Sequence, residues 1–304
     1  MAAKIAKPKA LARIGDDGGV DSSSPASRTA YGAARHRAVH QVAEEGVLLH
    51  DPLAVPILGE TRTALLADAD GGDRRMRWFV CARARYAEAV LAAAVPTGLD
   101  QLVVLGAGLD TFGYRNPYPD LRVVELDHPA TQAWKLDRLA TAEITVPASV
   151  THQPIDFETD LLRDVLAGCV DTARPVLFWW LGVTPYLTVE AVTQTLTTLG
   201  ALPHAAVVLD HATPPTGDES PELVAWSAAR RERVAALGEP WISEFEPTAM
   251  AVLLASCGFD DVHLEDAAAT VRRVFGLPPS PDPPRTRLAL GARGWPVAAQ
   301  AARS

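Results

Sequence analysis

The pattern of apolar and polar positions divides the chain into an N-terminal helical part and a longer part in which strands and helices alternate. Alanine-rich sequence from Ser27 to about Glu45 predicts one helix, which the segment HDPLAVPILG then ends. A second, stronger helix is predicted from about Asp73 to Val95. The positions that recur on one face of this helix are Met76, Val80, Arg83, Ala87, Val90 and Ala94.

An arginine therefore stands on an otherwise apolar helix face. Because an unpaired buried charge is very costly, Arg83 must either extend to the edge of the helix or meet a buried anion. We expect Arg83 to contact the carboxylate of a ligand.

Beyond the second helix, short β-branched runs alternate with helical segments. This alternation predicts an α/β fold, with a Rossmann-like, doubly wound and mostly parallel sheet covered on both faces. A long segment after the fifth strand, residues 213–247, has Pro and Gly on both sides of a helical middle and is expected to form a lid. The predicted strands are Gln101–Leu105, Arg122–Leu126, Val150–Pro154, Pro175–Trp179, Ala206–Asp210, Val262–Glu265 and Arg287–Leu290.

Length and charge narrow the class of protein. The 304 residues suffice for one elaborated domain with a sizeable core. The formal net charge of -9 argues against nucleic acid as the main partner, because phosphate binding depends on clustered Lys and Arg. No apolar run is long enough for a secretory signal or a membrane span, so we expect a cytoplasmic protein with no membrane partner.

The three cysteines are scattered along the chain. Cys81, Cys169 and Cys257 form no CxxC pair and have no His at metal-ligand spacing nearby. We expect all three to be reduced packing residues, and we expect no metal site.

A glycine turn follows the first predicted strand. Gly106 and Gly108 would let a cofactor approach the backbone, while Thr111 replaces the third glycine of a dinucleotide fingerprint. About twenty residues further on, LRVVELDHP ends the second strand with Glu125 and Asp127, where a carboxylate can accept ribose hydroxyls. The turn therefore favours a nucleoside cofactor that lacks a pyrophosphate, although an ordinary βαβ unit with a solvated acid is an alternative.

The end of the third strand carries a second acid. Asp156 offers a carboxylate for an exocyclic amine, and Phe157 beside it offers an apolar ring, as adenine recognition needs. An Asp after a strand is also common as a turn residue or helix cap. Its position favours binding, because ligands of open α/β sheets lie at the carboxyl ends of the strands.

The ordered set GAGLDT, ELDHP, Asp156-Phe157, WLGVTPYLT and GEPW...FEP...LLASCGF resembles the leucine carboxyl methyltransferase family. That family contains S-adenosylmethionine-dependent O-methyltransferases, including phosphatase carboxyl methyltransferases and bacterial natural-product enzymes. The resemblance covers residues 27–291. It implies a class I methyltransferase sheet of seven strands with an N-terminal helical cap, and S-adenosyl-L-methionine as the cofactor.

The resemblance also implies roles for individual residues. By position, Arg83 would bind the methionine carboxylate, Asp127 the ribose, and Asp156 with Phe157 the adenine. Gly106 would pack against the cofactor in the turn that also contains Gly108.

The pattern of helices and strands, together with the resemblance, predicts the domain organisation. Residues 1–25 are rich in Lys, Gly, Asp and Ser and are expected to form a disordered tail. Residues 26–304 are expected to form one methyltransferase domain. Its expected parts are a helical cap over 26–98, a cofactor-binding core over 99–212, the lid over 213–247 and the C-terminal part of the core over 248–304.

The chain departs from the family pattern at one position. Leu181 stands where the family has an acid that helps to hold the ammonium end of the cofactor. The leucine side chain cannot accept a hydrogen bond, so either another group holds the ammonium end or the cofactor binds less tightly.

The expected reaction is methylation of a carboxylate or hydroxyl of a small metabolite, in secondary metabolism, by a monomer or homodimer. Tyr186 and His211 are the candidate catalytic residues on the substrate side, with Asp210 beside them, and Trp180 and Trp241 are candidates for an apolar wall. One alternative is a protein that uses the same pocket for chemistry other than methyl transfer. A nicotinamide oxidoreductase is another, disfavoured by the missing third glycine.

Overall fold

The computed structural model describes residues 27–69, 73–157, 159–277 and 286–295. The predicted tail, residues 1–25, lies outside the described residues.

A seven-stranded sheet forms the centre of the molecule, as predicted. Its strand order is β3-β2-β1-β4-β5-β7-β6, and β7 runs in the direction opposite to the other six strands. All seven predicted strands are present, but β5 and β7 are each longer than predicted and pair over their whole length. The strands are β1 Gln101–Leu105, β2 Arg122–Asp127, β3 Val150–Pro154, β4 Val176–Trp180, β5 Ala205–Ala212, β6 Asp261–Glu265 and β7 Thr286–Arg293.

Eleven helices in the described residues surround the sheet. Side chains cap both predicted N-terminal helices, because Ser27 accepts a hydrogen bond from Ala30 N and Asp73 accepts one from Met76 N. Of the helices in the described ranges, none combines the length and the hydropathy needed to span a membrane. The helices are α1 Arg28–Ala43, α2 Ala54–Leu58, α3 Arg62–Ala69, α4 Arg74–Ala94, α5 Phe112–Arg115, α6 Pro129–Thr141, α7 Leu162–Cys169, α8 Val189–Gly200, α9 Pro221–Ala236, α10 Pro247–Ser256 and α11 Ala267–Phe275.

The two faces of the sheet pack against different helices. Because side chains alternate along a strand, Phe178 and Trp180 of β4 join a core cluster with α7, α8 and α10, whereas Leu177 and Trp179 join a second cluster with α4. The predicted face of α4 is buried at all six positions, including Arg83. Helix α4 therefore carries an arginine to the end of the sheet.

The cysteines are free, as predicted. Cys81 and Cys257 are buried, whereas Cys169 is half-buried at the end of α7 and packs against the core.

A buried carboxylate connects the N-terminal helices to the turn after β1. Asp51 lies within 3.4 Å of the guanidinium groups of both Arg37 and Arg115, and it accepts a hydrogen bond of 2.7 Å from the Thr111 hydroxyl. Arg37 also donates to the carbonyl of Leu109 at 2.6 Å. Since Thr111 and Leu109 belong to the glycine turn, this cluster fixes α1 above the turn.

Removing this carboxylate should destabilise the fold strongly. Asp51→Ala leaves the buried guanidinium of Arg37 without its counter-charge and removes one of the two acids that pair with Arg115, the other being Glu88, which costs about 3–5 kcal/mol of unfolding free energy. Chemical denaturation measures this loss. Asp164→Ala is the matched control, because Asp164 pairs with Arg163 at the exposed surface and its removal should change stability little. A similar small loss for both variants would contradict the prediction.

Candidate functional site

A cavity of about 690 Å³ lies at the carboxyl ends of the first three strands. Residues of α1, α4 and α9 line its other side. Its volume is typical of sites that bind small molecules. The predicted site residues that line it are Arg83, Gly106, Gly108, Asp127, Asp156, Phe157 and Tyr186.

Arg83 meets a buried anion that the protein itself supplies. Only 8% of the arginine is exposed, and its Nη1 donates to Asp210 Oδ2 at 3.1 Å. The other oxygen of Asp210 accepts the backbone N–H of Gly182. Gly182 has a φ of 74°, and a Cβ there would stand 2.6 Å from Arg83 Nη2, so glycine is required for the guanidinium to lie against this backbone. Asp210 therefore positions Arg83 at the cavity wall.

Asp127 lies at the end of β2, facing the glycine turn. Its carboxylate accepts the backbone N–H groups of Gly108 and His128. Burial raises the pKa of Asp127, and the two N–H donors oppose that rise. Each oxygen can accept a further hydrogen bond, so the fixed carboxylate suits a ligand with hydroxyl donors.

The glycine turn itself is closed by a neighbouring loop. Gly106 has a φ of 68°, and a Cβ on it would stand 2.4 Å from the Val183 side chain. Glycine is therefore needed here to admit Val183, which lines the cavity beside it.

Of the two acids in ELDHP, only Asp127 lines the cavity. Glu125, two residues earlier on the same face of β2, is buried outside the cavity lining, where Lys135 Nζ lies 2.6 Å away and the Tyr114 hydroxyl donates at 2.9 Å. Although burial acts to raise the pKa of Glu125, Lys135 and His152 hold it below its usual value. Glu125 is part of an internal polar cluster.

Asp156 and Phe157 line the cavity beyond β3. The Asp156 carbonyl accepts the N–H groups of Thr159 and Asp160, which makes the tight turn that exposes both residues to the cavity. The Phe157 ring packs partly against the core.

The predictions for the substrate side need correction. His211 is completely buried, its Nδ1 lies 3.3 Å from the Ala212 carbonyl, and it is not among the residues that line the cavity. Its ring packs edge-on to Phe245, on the face of the sheet opposite Asp210. Since neighbouring residues of a strand point to opposite faces, Asp210 and His211 could not both face the cleft. Tyr186 does line it.

The predicted tryptophan wall is also different. Trp180 is completely buried in the core, and Trp241 packs against Arg230 and Arg231 outside the cavity lining. Trp179, which alternation directs to the α4 face, lines the cavity instead.

Several polar residues of the cavity wall were not predicted from the sequence, and two of them are His36 of α1 and Arg230 of α9. Burial, together with the positive charge of Arg230, lowers the pKa of His36 to about 4. Neither residue stands in an apolar stripe, and RHRAVH and AARRERVAA read as solvated helix faces, so no periodic signal identified them.

Leu181, at the position of the family acid, lines the cavity and packs partly against the α4-side core. Asp210 is the carboxylate next to this loop, and it is bonded to Arg83 and Gly182. In this protein the carboxylate beside the loop after β4 is therefore Asp210 of β5, whereas the family has its acid in the loop itself.

A carboxylate closes the cavity between α1 and the segment after α9. Glu239 accepts hydrogen bonds from the backbone N–H of Arg28 at 2.9 Å and from the hydroxyls of Ser27 and Thr29. A negative charge is favourable at this point, because the N-terminus of a helix carries partial positive charge and unpaired N–H groups. Glu239 thereby fastens its segment to the first turn of α1.

Comparison with known proteins decides the family. Residues 30–200, more than half of the chain, match the family described as leucine carboxyl methyltransferase. The chain belongs to this family. The branch of natural-product enzymes is not specified by the match.

Curated relatives of this leucine carboxyl methyltransferase family member include YktD of Bacillus subtilis, a candidate S-adenosyl-L-methionine-dependent methyltransferase. It is 36% identical over 58% of this chain, a match that spans 59% of YktD. A second candidate methyltransferase, from Mycolicibacterium paratuberculosis, is 30% identical over 75% of this chain and 74% of its own length. The chain thus spans less than two thirds of YktD but about three quarters of the second relative.

Solved structures agree with the fold. A duf574 family protein from Streptomyces avermitilis superposes with a TM-score of 0.51 at 15% identity, over 90% of this chain and all of that one. A candidate methyltransferase from Thermobifida fusca has a TM-score of 0.50 at 19% identity, over 82% of this chain and 93% of that one. The leucine carboxyl methyltransferase family member has the α/β fold of the class I methyltransferases.

Acidification should destabilise the protein through His36. Its pKa in the folded chain is about 4, against an ordinary value of 6.5, so the unfolded chain binds the proton first as the pH falls. The free energy of unfolding therefore falls as the pH is lowered from about 6.5 to about 4, because the unfolded chain gains a proton at His36 that the folded chain does not bind. Between about pH 7 and 5, urea denaturation should show that the wild type loses about 1–2 kcal/mol more than His36→Gln.

His50→Gln, at an exposed position, is the control for this measurement and should retain the wild-type pH dependence. Equal slopes for His36→Gln and the wild type would show that folding does not lower the pKa of His36.

Proposed function

We propose that this protein transfers the methyl group of S-adenosyl-L-methionine to a carboxylate or hydroxyl oxygen of a small metabolite. The observation that carries this proposal is the convergence on a single cavity of a buried arginine from α4 and of acids from the ends of β2 and β3. Arg83, Asp127 and Asp156 supply these charges. Family membership supports the same donor.

The residues present fit the donor in charge and in shape. Arg83 offers a guanidinium to the methionine carboxylate, and Asp127 has free acceptor capacity for ribose hydroxyls. Asp156 and Phe157 offer a carboxylate and an apolar surface to adenine. The ammonium end has no acid at Leu181, so either another group such as a backbone carbonyl holds it or the donor binds less tightly.

The reaction needs positioning more than acid-base chemistry. Bound S-adenosyl-L-methionine would supply a methyl group on a sulfonium: as the acceptor oxygen forms the new C–O bond, the C–S bond breaks and its electron pair passes to sulfur, and a hydroxyl acceptor also releases its proton to water. A carboxylate acceptor is already ionised at neutral pH and needs no base. The task of the chain is to align the acceptor with the methyl group in a cavity bounded by α1, α4 and α9.

A small acceptor is supported by the enclosure of the site. The acceptor must share about 690 Å³ with the donor, beneath residues of α1, α4 and α9. Tyr186 lines this space and is the remaining candidate for contact with the acceptor. A role in secondary metabolism belongs to the same proposal.

Binding of the demethylated product tests the donor site. Wild-type protein should bind S-adenosylhomocysteine in calorimetry, and Arg83→Met and Asp127→Asn should each weaken binding about tenfold or more, because each removes charge-assisted hydrogen bonds. Arg163→Met and Asp164→Asn are the matched controls, since these two residues form an exposed ion pair. Undetectable binding by the wild type would refute the proposal.

Leu181 favours one alternative, a protein that binds the same nucleoside for chemistry other than methyl transfer. A screen of acids and phenols with a radiolabelled methyl donor separates the two functions. Methylated product from any acceptor supports the proposed function. Nucleoside binding without product, together with activity gained in Leu181→Glu, indicates a methyltransferase that has lost its activity.

A further inference from the structure

Arg230 is a buried cation in the cavity wall that the donor site does not use. Only 9% of the residue is exposed, and its buried Nε has no hydrogen-bond partner among the described residues. The nearest acid is Asp73, with 3.7 Å between Arg230 Nη1 and Asp73 Oδ2, too long for a hydrogen bond. The charge of Arg230 is therefore incompletely compensated.

Asp73 is already engaged by other groups. Its Oδ1 accepts the backbone N–H of Met76 at 3.0 Å, which caps α4, and the indole N–H of Trp226 at 2.9 Å. Because these bonds fix the carboxylate at the start of α4, it cannot turn towards Arg230 without uncapping that helix.

The other buried arginines of the described residues differ from Arg230 in this respect. Arg37, Arg77, Arg83 and Arg138 each donate at least one hydrogen bond of 3.1 Å or shorter to a carboxylate or carbonyl oxygen. Burial of an arginine in this protein is thus normally accompanied by a close acceptor. Arg230 lacks one in the described structure.

The groups around Arg230 hold it in place and leave room for an anion. The Trp241 ring lies 5.5 Å from its guanidinium carbon on the outer side. Burial lowers the pKa of Arg230, Tyr186 and Asp73 oppose this shift, and Tyr186 lines the same cavity. His36, with its pKa lowered to about 4, is neutral at neutral pH and can also form hydrogen bonds.

From this arrangement we infer that Arg230 forms an anion subsite of the cavity, which binds a negatively charged group of the methyl acceptor. The inference rests on the proposed function and adds that the acceptor is an organic acid. The guanidinium provides a planar fork that matches a carboxylate, with Tyr186 and His36 as additional hydrogen-bonding groups. The apolar remainder of the acceptor lies against walls such as Trp179 and Leu181.

Arg83 and Arg230 then bind different anions. Arg83, with Asp210 behind it, takes the carboxylate of the donor, and Arg230 takes that of the acceptor. Arg230 acts by binding and orienting the acceptor, whichever of its oxygens receives the methyl group.

The test uses the full-length protein saturated with S-adenosylhomocysteine, so that Arg83 is already occupied. The probes are benzoate, 3-phenylpropionate and hexanoate, each compared with its uncharged amide by calorimetry. The wild type should bind at least one acid at least tenfold more tightly than the matching amide. Arg230→Met should lose at least tenfold in affinity for that acid.

Arg231→Met is the matched control, because Arg231 is the next residue of α9, contacts the same Trp241 ring and pairs with Glu244 outside the cavity lining. It should bind the acid as the wild type does. Arg230→Gln is the second variant and should match Arg230→Met. Both Arg230 variants should bind S-adenosylhomocysteine within about twofold of the wild type, which shows that they are folded.

The outcomes separate the two proposals. Failure of the wild type to bind S-adenosylhomocysteine would overturn the proposed function itself. Nucleoside binding with no preference for any acid over its amide, or equal acid binding by Arg230→Met and the wild type, would overturn the anion subsite alone.

Discussion

The buried ion pair between Arg83 and Asp210 is the interaction on which the rest of the site depends. It joins α4 of the N-terminal part to the end of β5 in the sheet, and Gly182 supplies the backbone N–H that fixes the carboxylate. Burying either charge alone would be strongly unfavourable, so the two must come together as the helix packs on the sheet. The packing of α4 on the sheet therefore also forms this part of the cavity wall.

The sheet was predictable from the sequence because local patterns determine it. Seven apolar, β-branched runs separated by helical segments give the seven strands, and an apolar stripe at helical spacing gives α4 with Arg83 on its buried face. The positions at the ends of β2 and β3 followed from the same reasoning, since the fold brings the carboxyl ends of parallel strands to one edge. Asp127 and Asp156 therefore line the same cavity.

The substrate side was predicted less well, for two physical reasons. The first is strand length: β5 continues to Ala212, so side-chain alternation turns His211 into the opposite core. The second is that α1 and α9 acquire their buried polar faces only by packing over the sheet. His36 and Arg230 are polar residues on polar-looking helices, and only tertiary structure distinguishes them from solvated ones. Trp179 and Trp180 show the same limit. They are neighbours on β4, so one lines the cavity and the other is buried in the opposite core, and the sequence alone does not tell which.

The bonds of Glu239 to the first turn of α1 link access to local helix stability. The same carboxylate that satisfies the N–H of Arg28 also holds the segment after α9 over the cavity. Release of that segment would take the acceptor from the Arg28 N–H, although Ser27 would still cap the helix at Ala30. The place of the segment at the cavity wall and the order of the first turn of α1 are therefore coupled.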